Sequence, residues 1–278
     1  MKQGIANSSS SIARIVLPLA AGLCLFLCCG IVAAQQQDDQ SRQEISRTSK
    51  PVLVHYMPWF GSSAVSGSWG WHWTMGKLDP DKVVDGRAEI ASHYQPSLGP
   101  YDSSDPDLIQ CHLALMKISG IDGVVIDWYG IEDHFDYATN HRNTCLMIEA
   151  IKKAKMKFAI CYEDQTIPHL VSAKKVKAGQ ETAHGQQVLQ WMEKNWFSDD
   201  SYLKLDEKPA LLVFGPKVLK QEQWKAITAG LKTKPTIFGL PHLSQHTGGN
   251  AFGWVPVSGG KETTRQDWTK YLLSLIHI

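Results

Sequence analysis

The sequence predicts an α/β fold of the (β/α)8 TIM-barrel type, with about six of the eight strands present. From Pro51 onward, short apolar runs alternate with amphipathic segments, which is typical of a parallel sheet covered by helices. The loop after the first predicted strand, residues 58–104, is far longer than a usual βα loop. A doubly wound sheet would show the same alternation, but no glycine-rich phosphate loop follows any strand. The barrel is therefore favoured.

Each predicted strand is a short apolar run rich in β-branched or aromatic residues. The run Ile121–Ile126 is apolar except for Asp122 and Gly123, which indicates a strand buried on both faces. The strands are predicted over Val52–Tyr56, Ile121–Asp127, Phe158–Tyr162, Ala210–Phe214, Thr236–Leu240 and Phe252–Val257.

Amphipathic stretches between the strands predict helices. Asp105 and Pro106 supply an N-cap and a first-position proline, and Gly120 ends the helix that they begin. Apolar side chains at helical spacing mark this helix and three later ones: Leu108, Ile109, Leu113 and Met116; Met147, Ile148 and Ile151; Val188, Leu189, Met192 and Trp196; Trp224, Ile227 and Leu231.

Residues 1–34 have the pattern of a signal peptide. Lys2 and Arg14 give a positive start, Ile15–Ile31 is largely apolar, and Val32–Ala34 resembles a cleavage site. A membrane anchor is the alternative, since the apolar run is almost long enough to span a bilayer. The expected protein is exported, secreted or periplasmic, with no stable membrane insertion after cleavage.

The rest of the chain divides into three parts. Residues 35–50 are polar and predict a disordered linker, and residues 51–272 form the barrel domain. The last six residues, 273–278, have no helix cap and no closing strand pattern. We expect a truncated domain with a non-native tail, and a genuine chain end is the alternative.

Charge and cysteine content exclude some functions. Removing the signal lowers the basic count from 28 to 26 against 27 acidic residues, so no electrostatic footprint for nucleic acid remains. The three remaining cysteines, Cys111, Cys145 and Cys161, are odd in number, so at least one does not pair within the chain. No Cys/His spacing resembles a zinc site, and the His134–His141 pair is interpreted as part of a solvated loop. No metal and no cofactor are predicted.

The segment Ile121–Gly130 carries the clearest chemical signal. It runs from an apolar strand directly into Asp127, Trp128 and Tyr129. Barrel enzymes place substrate-handling groups at the carboxyl ends of their strands. A carboxylate beside aromatic rings suits a sugar, which offers a face to stack on and hydroxyls to hydrogen-bond.

Three segments resemble one enzyme group: HYMPWF at 55–60 followed by WHW at 71–73, HYQPSLGPYDSSDP at 93–106, and Ile121–Gly130. The chain resembles the glycoside hydrolase family 71/99-like group, related to the endo-α-mannosidases of family 99. The sequence FAICYED at 158–164 fits as the third strand. The similarity extends over about residues 52–257 and becomes thinner after Lys208.

The resemblance implies a barrel that hydrolyses an internal α-mannosidic linkage with retention, through a 1,2-anhydro sugar and without metal in the bond-breaking step. In that group the catalytic carboxylates lie in a Glu-containing motif near the carboxyl end of the barrel. No segment here matches that motif, and Glu262 is a poor candidate. We therefore expect the general acid and base to be absent from this chain.

The remaining site candidates are acids and aromatic residues near predicted strand ends. Glu163 and Asp127 are the catalytic candidates, as a carboxylate pair if they face one another; capping or loop-fixing roles are the structural alternatives. Core packing is the alternative for the aromatic candidates. The predicted substrate-binding residues are Tyr56, Trp59, His72, Trp73, Trp128, Tyr129, Asp164, His242 and Trp254. Tyr101 and Asp102 are expected to fix the long loop.

The sequence thus predicts an exported glycoside hydrolase acting on α-linked, mannan-like glycans, a monomer when full-length, with an oligosaccharide or polysaccharide as its partner. The hydrolase activity is expected of the full-length protein, and this chain, without its general acid and base, is expected to be inactive. A non-catalytic carbohydrate-binding barrel is the alternative from another class. A hydrolase of different chemistry is also conceivable on this scaffold, but no serine nucleophile elbow or thiol–histidine signature supports it.

Overall fold

The computed structural model describes residues 50–254 and 264–275. The strands are β1 (Leu53–Tyr56), β2 (Val83–Val84), β3 (Arg87–Ala88), β4 (Gly123–Trp128), β5 (Lys157–Tyr162), β6 (Lys204–Leu205), β7 (Lys208–Val213) and β8 (Thr236–Phe238). The α-helices are α1 (Ser63–Ser66), α2 (Trp71–Thr74), α3 (Pro106–Ile118), α4 (Tyr137–Lys153), α5 (Ile167–Ser172), α6 (Glu181–Met192), α7 (Gln221–Ala229) and α8 (Arg265–Leu275). Short 3₁₀ helices cover Asp164–Thr166 and Pro241–Thr247, and a π-helical turn covers Glu193–Phe197.

The main sheet is parallel and its strands follow the order of the chain. β1 pairs with β4, β4 with β5, β5 with β7, and β7 with β8. A doubly wound sheet would reverse its strand order at a switch point, whereas a barrel adds each β-α unit beside the previous one. The described sheet therefore has the arrangement of a TIM-type barrel, which confirms the predicted fold class.

Five of the six predicted strands are present, with ends shifted by a few residues. For the sixth, Phe252–Val257, the described part contains an isolated bridge between Ala251 and Gly239, and residues 255–257 lie outside the described ranges. Two short antiparallel pairings were not predicted, because strands of two residues carry no usable periodicity. The turn Asp85-Gly86 between β2 and β3 has positive φ at both residues and is a known hairpin signal.

The two faces of the main sheet differ sharply. On the face that packs against the helices, large side chains such as Ile126, Phe158 and Ile160 join one continuous apolar core with α3, α4, α6 and α7. The opposite face, here called the inner face, carries the small cluster Val125, Ala159, Cys161, Leu203 and Ala210. Because side chains alternate along a strand, neighbouring residues of β4 and β5 point to opposite faces.

The long loop after β1 is fixed by a buried carboxylate. Asp102 accepts hydrogen bonds from the Ser62 backbone N–H at 2.7 Å and the Ser66 hydroxyl at 2.6 Å, and also from the N–H and hydroxyl of Ser104. At the end of the loop, Asp105 caps α3 through the N–H of Asp107, and Pro106 is its first residue. The predicted roles of Asp102 and Asp105 are confirmed.

The predicted leader and nearly all of the predicted linker, residues 1–49, and the last three residues of the predicted tail lie outside the described ranges. Within those ranges, every helix is too short or too polar to traverse a lipid bilayer.

Candidate active site

A cavity of about 630 Å³ lies beside the carboxyl ends of β4 and β5. The chain leaves β4 through Tyr129 and then Gly130, whose φ of 105° allows a turn that side chains with a Cβ rarely adopt. Glu163 N–H donates to the Trp128 carbonyl and so joins the ends of β4 and β5. Tyr129 N–H donates to Asn140 Oδ1 on α4. The cavity is lined by Trp71, His72, Tyr129, Phe135, Asp136, Tyr137, Glu163, Gln165, Thr166 and His169.

One wall of the cavity includes the rings of His72 and Tyr129, and Trp59, which does not line the cavity itself, stacks on both. Trp59 lies parallel to His72, with ring centroids 4.1 Å apart and an interplanar angle of 8°, and it also stacks on Tyr129 at 5.9 Å. His72 Nε2 lies 3.1 Å from Asp136 Oδ2, which fixes the orientation of the imidazole ring. Trp71 is 56% exposed at the rim. Such flat apolar faces suit a pyranose ring.

The facing wall comes from the start of α4 and from α5. The Tyr137 hydroxyl and His169 Nδ1 lie 2.7 Å apart, which is hydrogen-bond distance. Phe135, just before α4, is largely exposed and packs edge-on against both of these rings.

The two histidines of the predicted solvated loop lie in different places. His134 lies in a partly exposed loop beside the cavity, as interpreted. His141 lies on α4 and contacts Trp128 and Trp191, so the solvated-loop interpretation was wrong for His141.

Glu163 and Asp127 form the acidic centre of the site. Glu163 lines the cavity and is 8% exposed, whereas Asp127 lies behind it on the inner face and is 1% exposed. Burial raises the pKa of Asp127 well above its ordinary value, and the neighbouring Glu163 charge and hydrogen bond raise it further. Burial also raises the pKa of Glu163, although hydrogen bonds from Gln165 and Asp127 and the charge of Lys217 oppose this rise.

These directions assign different roles to the two acids. The larger rise at Asp127 favours a protonated Asp127 hydrogen-bonded to an ionised Glu163, an arrangement that buries a single negative charge rather than two. Glu163 faces the cavity as a carboxylate of raised basicity. Such a group can accept a hydrogen bond or a proton from a sugar hydroxyl near neutral pH.

A polar chain supports Glu163 from the side. The Gln165 amide donates to Glu163 Oε2, and Lys217 Nζ donates to Gln165 Oε1 at 2.6 Å. Lys217 also lies over the Phe214 ring, 5.1 Å from its centroid. The positive charge of Lys217 therefore acts on the Glu163 carboxylate, although Lys217 does not line the cavity.

Two predicted sugar platforms, Trp128 and Trp73, are core residues instead. Trp128 points to the helix-facing side of β4, is fully buried, and donates from Nε1 to His141 Nδ1 at 3.1 Å. Trp73 is buried in the long loop and donates to the Tyr101 carbonyl at 2.7 Å. Neither ring has a face left for a ligand, so both predictions were wrong.

Tyr56 and Asp164 also have structural environments. Tyr56 belongs to the helix-facing core, and its hydroxyl lies 3.2 Å from His112 Nδ1. Asp164 is fully buried, and its carboxylate accepts the backbone N–H groups of residues 217, 218 and 219. Its oxygens are thereby occupied in fixing the loop after β7, so the prediction of substrate contact was wrong for both.

His242 and Trp254 lie away from the cavity. His242 is exposed on the 3₁₀ helix after β8 and does not line the cavity. Trp254 packs against His55 and Phe214 on the inner face, with ring centroids 4.6 Å apart in both pairs. Direct contact with a sugar in this cavity was therefore a wrong prediction for both residues. His72, Tyr129 and Glu163 are the predicted candidates that line the cavity, and Trp59 stacks on two of them from outside it.

Several lining residues were not predicted. Trp71 stands beside the predicted His72 and could have been found from the same WHW motif. Gln165 and Thr166 directly follow the predicted Glu163-Asp164 pair. Phe135, Asp136, Tyr137 and His169 carry no local signal, because only the packing of α4 and α5 against the strand ends brings them to the cavity.

A (β/α) barrel with a carboxylate and stacked aromatic rings at its strand ends belongs to the class of carbohydrate-active barrels. The sequence profile of glycosyl hydrolase family 99 matches residues 48–233. The chain belongs to this family.

Curated relatives share a limited part of the chain. A glycoprotein endo-alpha-1,2-mannosidase-like protein of Danio rerio is 33% identical over 93 residues, which covers 30% of this chain and 21% of the relative. The glycoprotein endo-alpha-1,2-mannosidase of Xenopus laevis is 27% identical over 108 residues, covering 33% of this chain and 23% of the relative. The matched part thus spans about a fifth of the length of these relatives.

Solved structures show the same fold at low identity. The GH99 endo-alpha-mannosidase from Bacteroides thetaiotaomicron superimposes with a TM-score of 0.55 and 18% identity, covering 81% of this chain and 68% of that chain. Its complex with BIS-TRIS-propane gives a TM-score of 0.55 and 16% identity, covering 82% and 66%. These structures support the barrel architecture.

Proposed function

We propose that this chain is a glycoside hydrolase acting on α-linked glycans of the mannan type. Membership of glycosyl hydrolase family 99 supports the reaction class, and the names of the relatives support an α-1,2-mannosidic linkage. Lined mainly by aromatic and polar side chains, the cavity has room for a sugar unit.

The observation that carries the proposal is the position of Glu163. It presents a carboxylate of raised pKa to a cavity walled by the rings of His72 and Tyr129. A pyranose stacked on such a wall would turn its hydroxyls toward that carboxylate. The protonated Asp127 behind it holds Glu163 in place by a hydrogen bond.

One feature favours the second candidate, a non-catalytic carbohydrate-binding barrel. Two-carboxylate glycosidases need an acid and a base or nucleophile that both reach the scissile bond. Asp127 is buried behind Glu163 and does not line the cavity. Asp136 lines the cavity but is engaged with His72. This agrees with the expectation from the sequence that this chain lacks its general acid and base and is inactive alone, so turnover by the chain would overturn that expectation.

A combined assay separates the two candidates. The purified chain is incubated with an α-1,2-linked manno-oligosaccharide; calorimetry measures binding and NMR measures release of sugar and its anomeric configuration. The hydrolase proposal expects turnover with retention that falls by orders of magnitude in Glu163→Gln. The matched control is Glu222→Gln, an exposed acid on α7, which should leave turnover unchanged.

Each outcome has a defined meaning. Binding without turnover would overturn the hydrolase proposal and support the binding barrel. The absence of both would overturn both candidates. Turnover that survives Glu163→Gln would remove Glu163 from the chemistry.

Export of the protein is a further proposal, supported by the basic start, the apolar run and the Val32–Ala34 site of the first 34 residues. N-terminal sequencing of the protein recovered from the medium or periplasm tests it. A new N-terminus at about residue 35 is expected, and an intact Met1 on an exported protein would contradict cleavage. We also propose that the mature protein acts as a monomer, which light scattering would test.

A further inference from the structure

Three metal-ligating side chains meet on the inner face of the sheet. His55 lies on β1, Asp127 on β4 and Cys161 on β5, and these three strands are neighbours. One ligand atom of each residue lies within 4.8 Å of the other two. The residues are far apart in the sequence, so no local Cys/His spacing signals the cluster. Only the register of the parallel strands brings it together.

Two atoms of this cluster lack hydrogen-bond partners. Within the described ranges, His55 Nε2 and Asp127 Oδ1 are both buried and unpaired. They lie 4.0 Å apart, which is too long for a hydrogen bond between them. Buried polar atoms are usually hydrogen-bonded or bound to an ion in folded proteins, and a group that bridges these two facing atoms would satisfy both.

The donor atoms of His55, Asp127 and Cys161 limit which ion could bridge them. An imidazole nitrogen, a carboxylate oxygen and a thiolate sulfur are all zinc ligands, and their mixture matches zinc better than magnesium or calcium, which prefer oxygen alone. Ligands around a tetrahedral zinc ion lie roughly 3.5 Å apart. The observed spacing requires inward rotation of the side chains by about 1 Å.

We propose that His55, Asp127 and Cys161 form a binding site for a divalent transition metal ion, with zinc as the preferred ion. The ion would connect β1, β4 and β5 on the inner face of the sheet. Trp254, packed edge-on against His55 at 4.6 Å, partly covers the site. Binding of the ion would release the protons that Asp127 and Cys161 carry in its absence, because zinc ligands are deprotonated. Three protein ligands leave a fourth position for water.

Co²⁺ can replace Zn²⁺ at such sites, and its absorption spectrum shows which types of ligand bind it. The full chain is used, with Cys24, Cys28 and Cys29 replaced by serine so that they do not compete. Titration with Co²⁺ is expected to give one equivalent bound and a near-ultraviolet thiolate-to-cobalt charge-transfer band. Zinc should displace the cobalt and raise the melting temperature, because an ion that binds only the folded state stabilises it.

Variants identify the ligands. Cys161→Ser should abolish the thiolate band, and His55→Gln should weaken cobalt binding by at least about 100-fold, since even second-shell changes cost up to that factor. The matched control is Cys145→Ser, because Cys145 Sγ lies 4.0 Å from His141 Nε2 and is the alternative thiol–imidazole pair. This control should keep both the band and the affinity.

Two results would overturn the proposal: no cobalt binding by the parent chain, or a thiolate band that survives Cys161→Ser. Far-ultraviolet circular dichroism of each metal-free variant verifies folding. If Cys161→Ser does not fold, the half-buried His55→Gln variant decides, because unchanged affinity in that variant contradicts the site. The test is independent of the proposed glycan chemistry.

Discussion

At the ends of β4 and β5, one residue has a structural role and the residue next to it belongs to the candidate site. Trp128 points to the helices and is packed among His141, Trp191 and Trp196, whereas Asp127 beside it points to the inner face with an unpaired oxygen. At the end of β5, Asp164 has both oxygens bound by backbone N–H groups, while Glu163 faces the cavity.

The two sides differ in whether ionisable groups are buried there. The helix-facing side packs apolar groups, and its buried atoms without a hydrogen-bond partner in the described part of the chain, such as the Tyr162 hydroxyl and Trp224 Nε1, are neutral. On the inner face and at the cavity, two neighbouring carboxyl groups are buried, and burial raises their pKa values. Perturbed and incompletely paired acids cluster at functional sites. We therefore predict that substitutions on the helix-facing side lower the stability of the protein, whereas substitutions at the cavity lower its affinity for glycan.

The largest expected effect is loss of stability in Trp128→Ala. Removing a fully buried indole from the core should lower the free energy of unfolding by about 3–5 kcal/mol. Urea denaturation followed by circular dichroism measures this. A loss below about 1 kcal/mol would show that Trp128 is not a core residue and would reopen its role as a sugar platform.

The next effect compares two adjacent acids. Asp164→Asn replaces one of the acceptors for three backbone N–H groups and should cost about 1–3 kcal/mol of unfolding free energy. Glu163→Gln should cost little stability but should lower the affinity for the manno-oligosaccharide. Equal stability losses in the two variants would break the comparison between the faces.

A smaller effect is expected for the exposed indole at the rim. Trp71→Ala should reduce glycan affinity about 5-fold, because one stacking contact is worth about 1 kcal/mol. The unfolding free energy should change by no more than about 0.5 kcal/mol, as for other exposed positions. Calorimetry and urea denaturation on the same preparation provide both values, and unchanged affinity would place the sugar elsewhere.

The smallest effect is a pH dependence. Because the pKa of Asp127 is raised on folding, the native state binds more protons than the unfolded state above the ordinary carboxyl range. Stability should therefore fall as pH rises through the raised pKa. Asp127→Asn keeps an N–H donor toward Glu163 and should flatten this decline above the ordinary carboxyl range in chelator-containing buffer. A steeper decline in the variant would contradict the sign.

The strand positions were predictable, but the faces were not. Apolar runs with β-branched residues located β1, β4, β5, β7 and β8, and the Asp105-Pro106 pair located the start of α3. However, β4 is buried along its whole length, so no alternation distinguishes its faces. The sequence therefore could not show that Asp127 and Trp128 point in opposite directions.

The cavity walls depended on tertiary packing. The ring stack of Trp59, His72 and Tyr129 joins a loop to a strand end, and its members were predicted individually because each follows a strand or belongs to an aromatic motif. Tyr137 and His169 meet only when two helices pack over the strand ends. A pattern of residues along the chain contains no information on such a pairing.

The most direct measurement is an NMR titration of the tryptophan indole N–H signals with the manno-oligosaccharide. The chain has ten tryptophans, and substitution assigns the relevant signals. The indole signal of Trp71, which lines the cavity, should shift on addition of glycan, while those of Trp73 and Trp128, hydrogen-bonded to the Tyr101 carbonyl and to His141, should not. Shifts at Trp128 and Trp73 with none at Trp71 would contradict the division between a structural face and a binding cavity.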